Sequence, residues 1–137
     1  MIVVAGGDLV LPDRILTAAS LVIDGPRITA IEATARVDSP GATIVDASDC
    51  YVVPGFIDVH VHGVEGYDTL DGDGAVAEIA SRLPKYGVTA FCPTTVACAP
   101  AQLKEMLEQA RTARVHRPRG SARVLPAHLE SNFINQI

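Results

Sequence analysis

The chain of 137 residues has no tryptophan, only 4% aromatic residues and three cysteines. It also has no apolar run approaching the roughly 18 residues needed to cross a bilayer as a helix. Each shortage excludes something. Cys50, Cys92 and Cys98 are an odd set without C-x-x-C spacing, a poor disulfide framework and a poor zinc–thiolate site, and they suit a reducing compartment. Positive charge is scarce as well: 11 Lys and Arg face 16 Asp and Glu, a formal charge of −5. Gripping a nucleic-acid backbone needs clustered cations, so this balance speaks against it. The opening MIVVAGGDLVLPDR lacks the basic flank and long apolar stretch of a secretory signal. The expectation is a soluble, cytoplasmic protein with no membrane or nucleic-acid partner.

What is present is a globular composition, 48% hydrophobic with 20% charged residues. Residues 1–53 read as short strands: Ile2–Ala5, Ser20–Asp24, Arg27–Ile31, Thr43–Asp46 and Tyr51–Val53, with Gly25-Pro26 as a turn pair. They predict a small antiparallel sheet. After Pro54 the pattern changes. Phe56–Val61 is a mostly apolar run, as in a strand covered on both faces. Asp73 is placed to cap a helix carrying Val76, Ile79, Ala80 and Leu83, which Pro84 and Gly87 end. Val88–Thr94 is a second strand, Pro100 opens a helix with Leu103, Met106, Leu107 and Ala110 on one face, and Arg123–Leu129 is a third strand. Strand, helix, strand, helix, strand predicts right-handed units and parallel strands. A (β/α)8 barrel takes about 250 residues, so residues 54–137 would supply roughly two and a half of its units.

His60 and His62 stand two apart at the end of the first barrel-type strand. Their side chains leave one face about 6.6 Å apart along the chain and can converge on one ion. The plainer alternative is a pair of imidazoles facing solvent. Asp58 shares that face and is a candidate to orient an imidazole. Glu130, in AHLESNF beyond the third strand, would share the rim with both histidines if the strands are parallel neighbours; alone it reads equally as a solvated Glu. His128 is a substrate contact, a ligand-orienting group or a packing residue. Cys92 and Cys98 read as buried small hydrophobes. Gly6-Gly7 lacks the spacing and the Lys of a phosphate loop. Glu65, Asp68, Asp71 and Asp73 read as a solvated loop, and the run Arg111, Arg114, Arg117, Arg119, Arg123 as a solvated helix end, with phosphate capture the sharper alternative.

Three segments in order, PGFIDVHVHG (Pro54–Gly63), GVTAFCPTT (Gly87–Thr95) and AHLESNFIN (Ala127–Asn135), resemble the amidohydrolase superfamily and, within it, its amino-sugar-phosphate deacetylases. The resemblance implies an α/β fold: a small N-terminal β-sandwich segment (1–53), then the first βα units of a metal-dependent (β/α)8 barrel (54–137), apparently truncated. It implies that His60, His62 and Glu130 bind one or two divalent ions, Zn before Fe, Mn or Co. It also implies metal-assisted hydrolysis of an N-acetyl amide on an amino-sugar phosphate, and a homo-oligomer, a dimer. The proton-donating Asp and the sugar-phosphate contacts would fall beyond residue 137, so no catalytic or substrate-binding residue is assigned. Ser131-Asn132 stands where that family usually has Gly-Pro. The competing readings are a dihydroorotase-, hydantoinase- or deaminase-like amidohydrolase and a non-catalytic fragment or assembly module.

Overall fold

The computed structural model describes residues 1–135; the last two residues of the 54–137 segment lie outside the described residues. The chain divides into two compact units, Met1–Pro54 and Gly55–Ile137.

In the first unit, β1 (Ile2–Val10), β2 (Ile15–Asp24) and β3 (Arg27–Glu32) form an antiparallel meander, while β4 (Thr43–Asp46) and β5 (Tyr51–Val52) both join β1. Those two pairings are parallel, so the sheet is mixed and not the antiparallel one expected from the strand runs. Gly6-Gly7 explains how one strand serves two partners. Gly6 takes a φ of 77°, and the β1–β2 register slips on either side of Gly7. A Cβ on Gly7 would stand 2.7 Å from Val52 Cγ2. The bulge therefore lets β1 pair with β4 before it and with β5 after it. Val3, Leu9, Ala19, Val22 and Ala47 are buried here, and Ser20, also buried, donates its hydroxyl to Thr34 O at 2.7 Å.

The second unit is a parallel three-stranded sheet in the order β10–β9–β6, with β6 at Phe56–Val61, β9 at Val88–Pro93 and β10 at Arg123–Val124. A two-residue hairpin pair, β7 (Gly63–Val64) and β8 (Tyr67–Asp68), follows β6 directly. Gly63 must lack a side chain, because a Cβ there would collide with the Tyr67 carbonyl. Helix α1 (Ala75–Arg82) links β6 to β9 and α2 (Pro100–Val115) links β9 to β10. Val76, Ile79, Ala80 and Leu83 from the first connection and Met106, Ala110 and Ala113 from the second pack with Phe91, Val61 and Val124 into one core. Phe91, wholly buried on the central strand, is its largest member.

Three expectations for the second unit need correction. Asp73 does not cap α1: the capping position is Gly74, at φ 85°, with no side-chain cap, and Gln109 Oε1 from α2 accepts from the Val76 N–H instead. The third strand is shorter than Arg123–Leu129, two residues of ladder and one further bridge, Thr94 with His128. Finally, β6 is an edge strand and is not covered on both faces: Phe56, Ile57 and Val59 are 57%, 64% and 63% exposed. The helical connections bury only what they reach, which on β6 is Val61.

Replacing Phe91 by Ala removes the centre of this core, and denaturant unfolding should show a loss of about 3–5 kcal/mol.

Candidate metal centre

Parallel strands end on the same side, and three segments meet there: the end of β6, the residues after β9, and the residues after β10. Backbone bonds hold them in order. The Thr94 N–H donates to Val61 O at 2.8 Å, His128 N–H to Pro93 O at 3.0 Å, and Thr95 N–H to His128 O at 3.0 Å. Buried threonines complete the seam. Thr94 Oγ1 accepts from the Val61 N–H at 3.0 Å and donates to Cys92 O at 3.1 Å. Thr69 donates its hydroxyl to Thr94 O at 2.7 Å, and its own N–H reaches His62 O at 2.7 Å. Thr95 Oγ1 accepts from the Glu130 N–H at 3.1 Å. Thr69, Thr94 and Thr95 are fully buried.

On this rim His60 Nε2 and His62 Nε2 are 2.9 Å apart, and Glu130 Oε2 stands 3.1 Å and 3.0 Å from them. The three atoms form a nearly equilateral triangle. Both rings stay half-open to solvent, with side-chain exposures of 47% and 36%. Glu130 Oε2 itself is buried, and no hydrogen bond of acceptable geometry reaches it. Its two imidazole neighbours lie within ion-pair distance, and a hydrogen bond between His60 Nε2 and His62 Nε2 would still leave Glu130 Oε2 without a donor. Donor atoms held 2.0–2.2 Å from a common cation, at angles from 90° to the tetrahedral value, stand about 2.8–3.6 Å from one another, and the sides of this triangle fall at the short end of that range. An orphaned carboxylate oxygen facing two imidazole nitrogens is a donor set that suits a divalent ion. Among the described residues it is the one such cluster of three.

The neighbouring candidates sort themselves by geometry. Asp58 does not orient an imidazole: its Oδ1 accepts from the backbone N–H of His60 at 3.0 Å, fixing the main chain beneath the ring. His128 lies edge-on to His60, ring centres 5.0 Å apart, with its Nδ1 3.4 Å from Val59 O. Cys92 and Cys98 are half-buried and not in the core, and Cys50 is exposed. Gly6-Gly7 serves the sheet of the first unit. In the arginine run, Arg111 pairs with Glu108 and Arg117 donates to Ser121 O, so both are engaged in local structure. The threonines were not among the residues singled out from the sequence. A Thr-Thr pair directly after a buried strand was the signal available.

Of the acidic loop residues, Glu65 has a clear role. Its Oε1 accepts from Lys85 Nζ at 2.7 Å and from Tyr86 Oη at 2.8 Å, and Arg82 lies near its other oxygen while stacking 4.1 Å over the Tyr67 ring. These contacts tie the β7–β8 hairpin, immediately after His62, to the end of α1. The Lys85 hydrogen bond, then the Tyr86 one, holds the Glu65 carboxyl below the ordinary glutamate range.

No family model matches the chain. It is 33% identical over 106 residues to N-acetylglucosamine-6-phosphate deacetylase of Bacillus subtilis, covering 74% of this chain and 27% of that protein. A solved deacetylase of the same name from Thermotoga maritima superposes with a TM-score of 0.73 at 30% identity, over 98% of this chain and 33% of that one. The chain is similar to an N-terminal portion of the N-acetylglucosamine-6-phosphate deacetylases. The Pasteurella multocida structure of that name shares the fold, with a TM-score of 0.82 at 22% identity, again over 98% of this chain but 35% of its own. The chain thus spans about a quarter to a third of the length of the deacetylases it matches. No helix among its described residues is long and apolar enough to cross a membrane. The deacetylase-like segment AHLESNF departs from the expected Gly-Pro at Ser131-Asn132, yet Ser131 adopts the left-handed conformation, φ 60°, that a glycine would take without penalty.

Two measurements check this geometry. Thr94→Val leaves the buried Val61 N–H without its acceptor and should cost about 1–3 kcal/mol in unfolding free energy. Glu65 should titrate below an ordinary glutamate by NMR, and Lys85→Ala should raise its pKa toward the usual value. Because the folded-state value is the lower one, the stabilisation is complete above the ordinary glutamate range and is lost as pH falls through the depressed value.

Proposed function

We propose that this chain is the metal-binding part of an amidohydrolase-type deacetylase. In the longer protein it would convert N-acetylglucosamine 6-phosphate to glucosamine 6-phosphate and acetate. The observation that carries the proposal is the triangle of His60 Nε2, His62 Nε2 and Glu130 Oε2 at one end of a parallel sheet. The likeness to deacetylases over 74% of the chain supplies the substrate class.

His60, His62 and Glu130 are the residues that would hold a divalent ion, zinc first by their mixed nitrogen and carboxylate chemistry. When bound, such an ion supplies Lewis acidity that makes water nucleophilic near neutral pH and polarises an amide carbonyl. The two imidazoles contribute neutral donors and Glu130 a negative one, so the set offsets part of a dication's charge. Asp58 restrains the backbone at His60, Thr69 restrains it at His62, and Thr95 restrains it at Glu130, so the donors meet with little freedom to lose on binding. The half-open histidine rings leave a side of the cluster accessible from solvent, as a substrate amide requires. The group that protonates the departing amine is not assigned within this chain. We further propose a cytoplasmic location, because three cysteines without a disulfide framework suit a reducing compartment, and a homo-oligomer, a dimer, as an expectation to be tested by the oligomeric state in solution.

Glu130→Ala in the full-length protein should lower bound zinc, measured by atomic absorption, and abolish acetate release from N-acetylglucosamine 6-phosphate. Unchanged metal content and turnover would refute the assignment.

A further inference from the structure

Glu130 leaves the last bridge of the sheet through an irregular segment, and a carboxylate on such a segment needs something other than a ladder to aim it. A hydrogen-bond network between the segment after β9 and the segment carrying Glu130 provides it. Thr95 Oγ1, wholly buried, accepts the Glu130 N–H at 3.1 Å and donates to Asn132 Oδ1, the nearer of its two acceptors, Glu130 O lying at 3.4 Å. A hydroxyl has one proton, so committing it to Asn132 leaves a lone pair for Glu130. The Asn132 amide is itself fixed from its other end: Nδ2 donates to Val96 O and to Cys98 Sγ, each at 3.3 Å. One side chain thereby spans the segment after β9 and the segment carrying Glu130. Ser131, between the two residues bonded to Thr95, is held at φ 60°, a conformation uncommon for a non-glycine residue and sustained by its surroundings.

We propose that Thr95 and Asn132 are positioning residues for Glu130: this pair sets where the Glu130 carboxylate sits against His60 and His62, and through it the affinity for a divalent cation. The inference rests on the metal-centre reading above. Neither residue belongs to the donor set of His60, His62 and Glu130. Losing either one frees the Glu130 segment to rotate its carboxylate out of the triangle while the sheet, held by the Thr94 and backbone bonds, persists. Groups that orient metal ligands in this manner characteristically change affinity by about 10–100-fold when removed.

The test is zinc affinity by chelator competition in the full-length protein, together with thermal unfolding of the metal-free form. Asn132→Ala and Thr95→Val should weaken zinc binding by about 10–100-fold, and Thr95→Ser, which keeps the hydroxyl, should bind within about threefold of the parent. The cobalt-substituted protein adds a spectroscopic readout, because a displaced carboxylate alters the visible absorption bands in Asn132→Ala and leaves them unchanged in Thr95→Ser. Glu130→Gln serves as the control for the site itself. If Glu130→Gln loses zinc while Asn132→Ala and Thr95→Val bind it as the parent does, the positioning role is refuted and the metal centre stands. If the parent protein binds no zinc, both fall. If the variants only lower the metal-free unfolding temperature, with affinity and cobalt spectrum unaltered, the pair is structural and the proposal is overturned. Should Thr95→Val not fold, Asn132→Ala at its half-buried position carries the same comparison.

Discussion

Everything at the candidate site depends on parallel strand alignment. Glu130 is separated from His60 and His62 by about seventy residues of chain, and no local geometry could bring them together. Three parallel segments ending on one side do so, and the alignment is held by a short series of backbone bonds: Thr94 to Val61, His128 to Pro93, Thr95 to His128. Each of these bonds lies at the point where regular ladder gives way to irregular chain. They carry the sheet's register a few residues past its formal end, and those few residues are where the chemistry-bearing side chains sit.

The threonines reinforce that extension in a way the backbone alone cannot. At the end of a strand the next N–H and C=O groups have no ladder partner, and buried without one they would each be destabilising. Thr94 and Thr95 satisfy such groups with hydroxyls that both accept and donate, and Thr69 with one that donates to Thr94 O. The outcome is a polar rim set on buried threonines, with the imidazoles and the carboxylate projecting from it. The glycine that follows the second histidine has a related origin: Gly63 lets the hairpin fold back immediately, and Glu65 then fastens that hairpin through Lys85, Tyr86 and Arg82.

The first unit solves a different problem by comparable means. A strand that must pair with two successive partners on one edge needs an interruption, and Gly6-Gly7 supplies it. The pair looked uninformative as a ligand motif because its purpose is conformational. The mixed sheet is hidden in the sequence for the same reason. Strand runs in a sequence carry no mark of direction, and the bulge that permits β4 and β5 to run parallel to β1 shows only once the pairing is known.

The order of elements was legible from the amino acids. Apolar spacing located β6, β9 and both helices of the second unit, Pro100 and Gly87 marked their ends, and the two-residue spacing of His60 and His62 placed both rings on one face. Those features are local, set by side-chain periodicity and backbone freedom within a few residues. Tertiary structure alone decided the rest. It made Asp58 a backbone restraint and Gln109 a helix cap, left the apolar β6 open at the sheet edge, and brought Glu130 Oε2 within about 3 Å of two imidazole nitrogens. Contacts of that kind depend on which segments lie side by side, and burial and hydrogen-bond satisfaction across the whole unit settle that together.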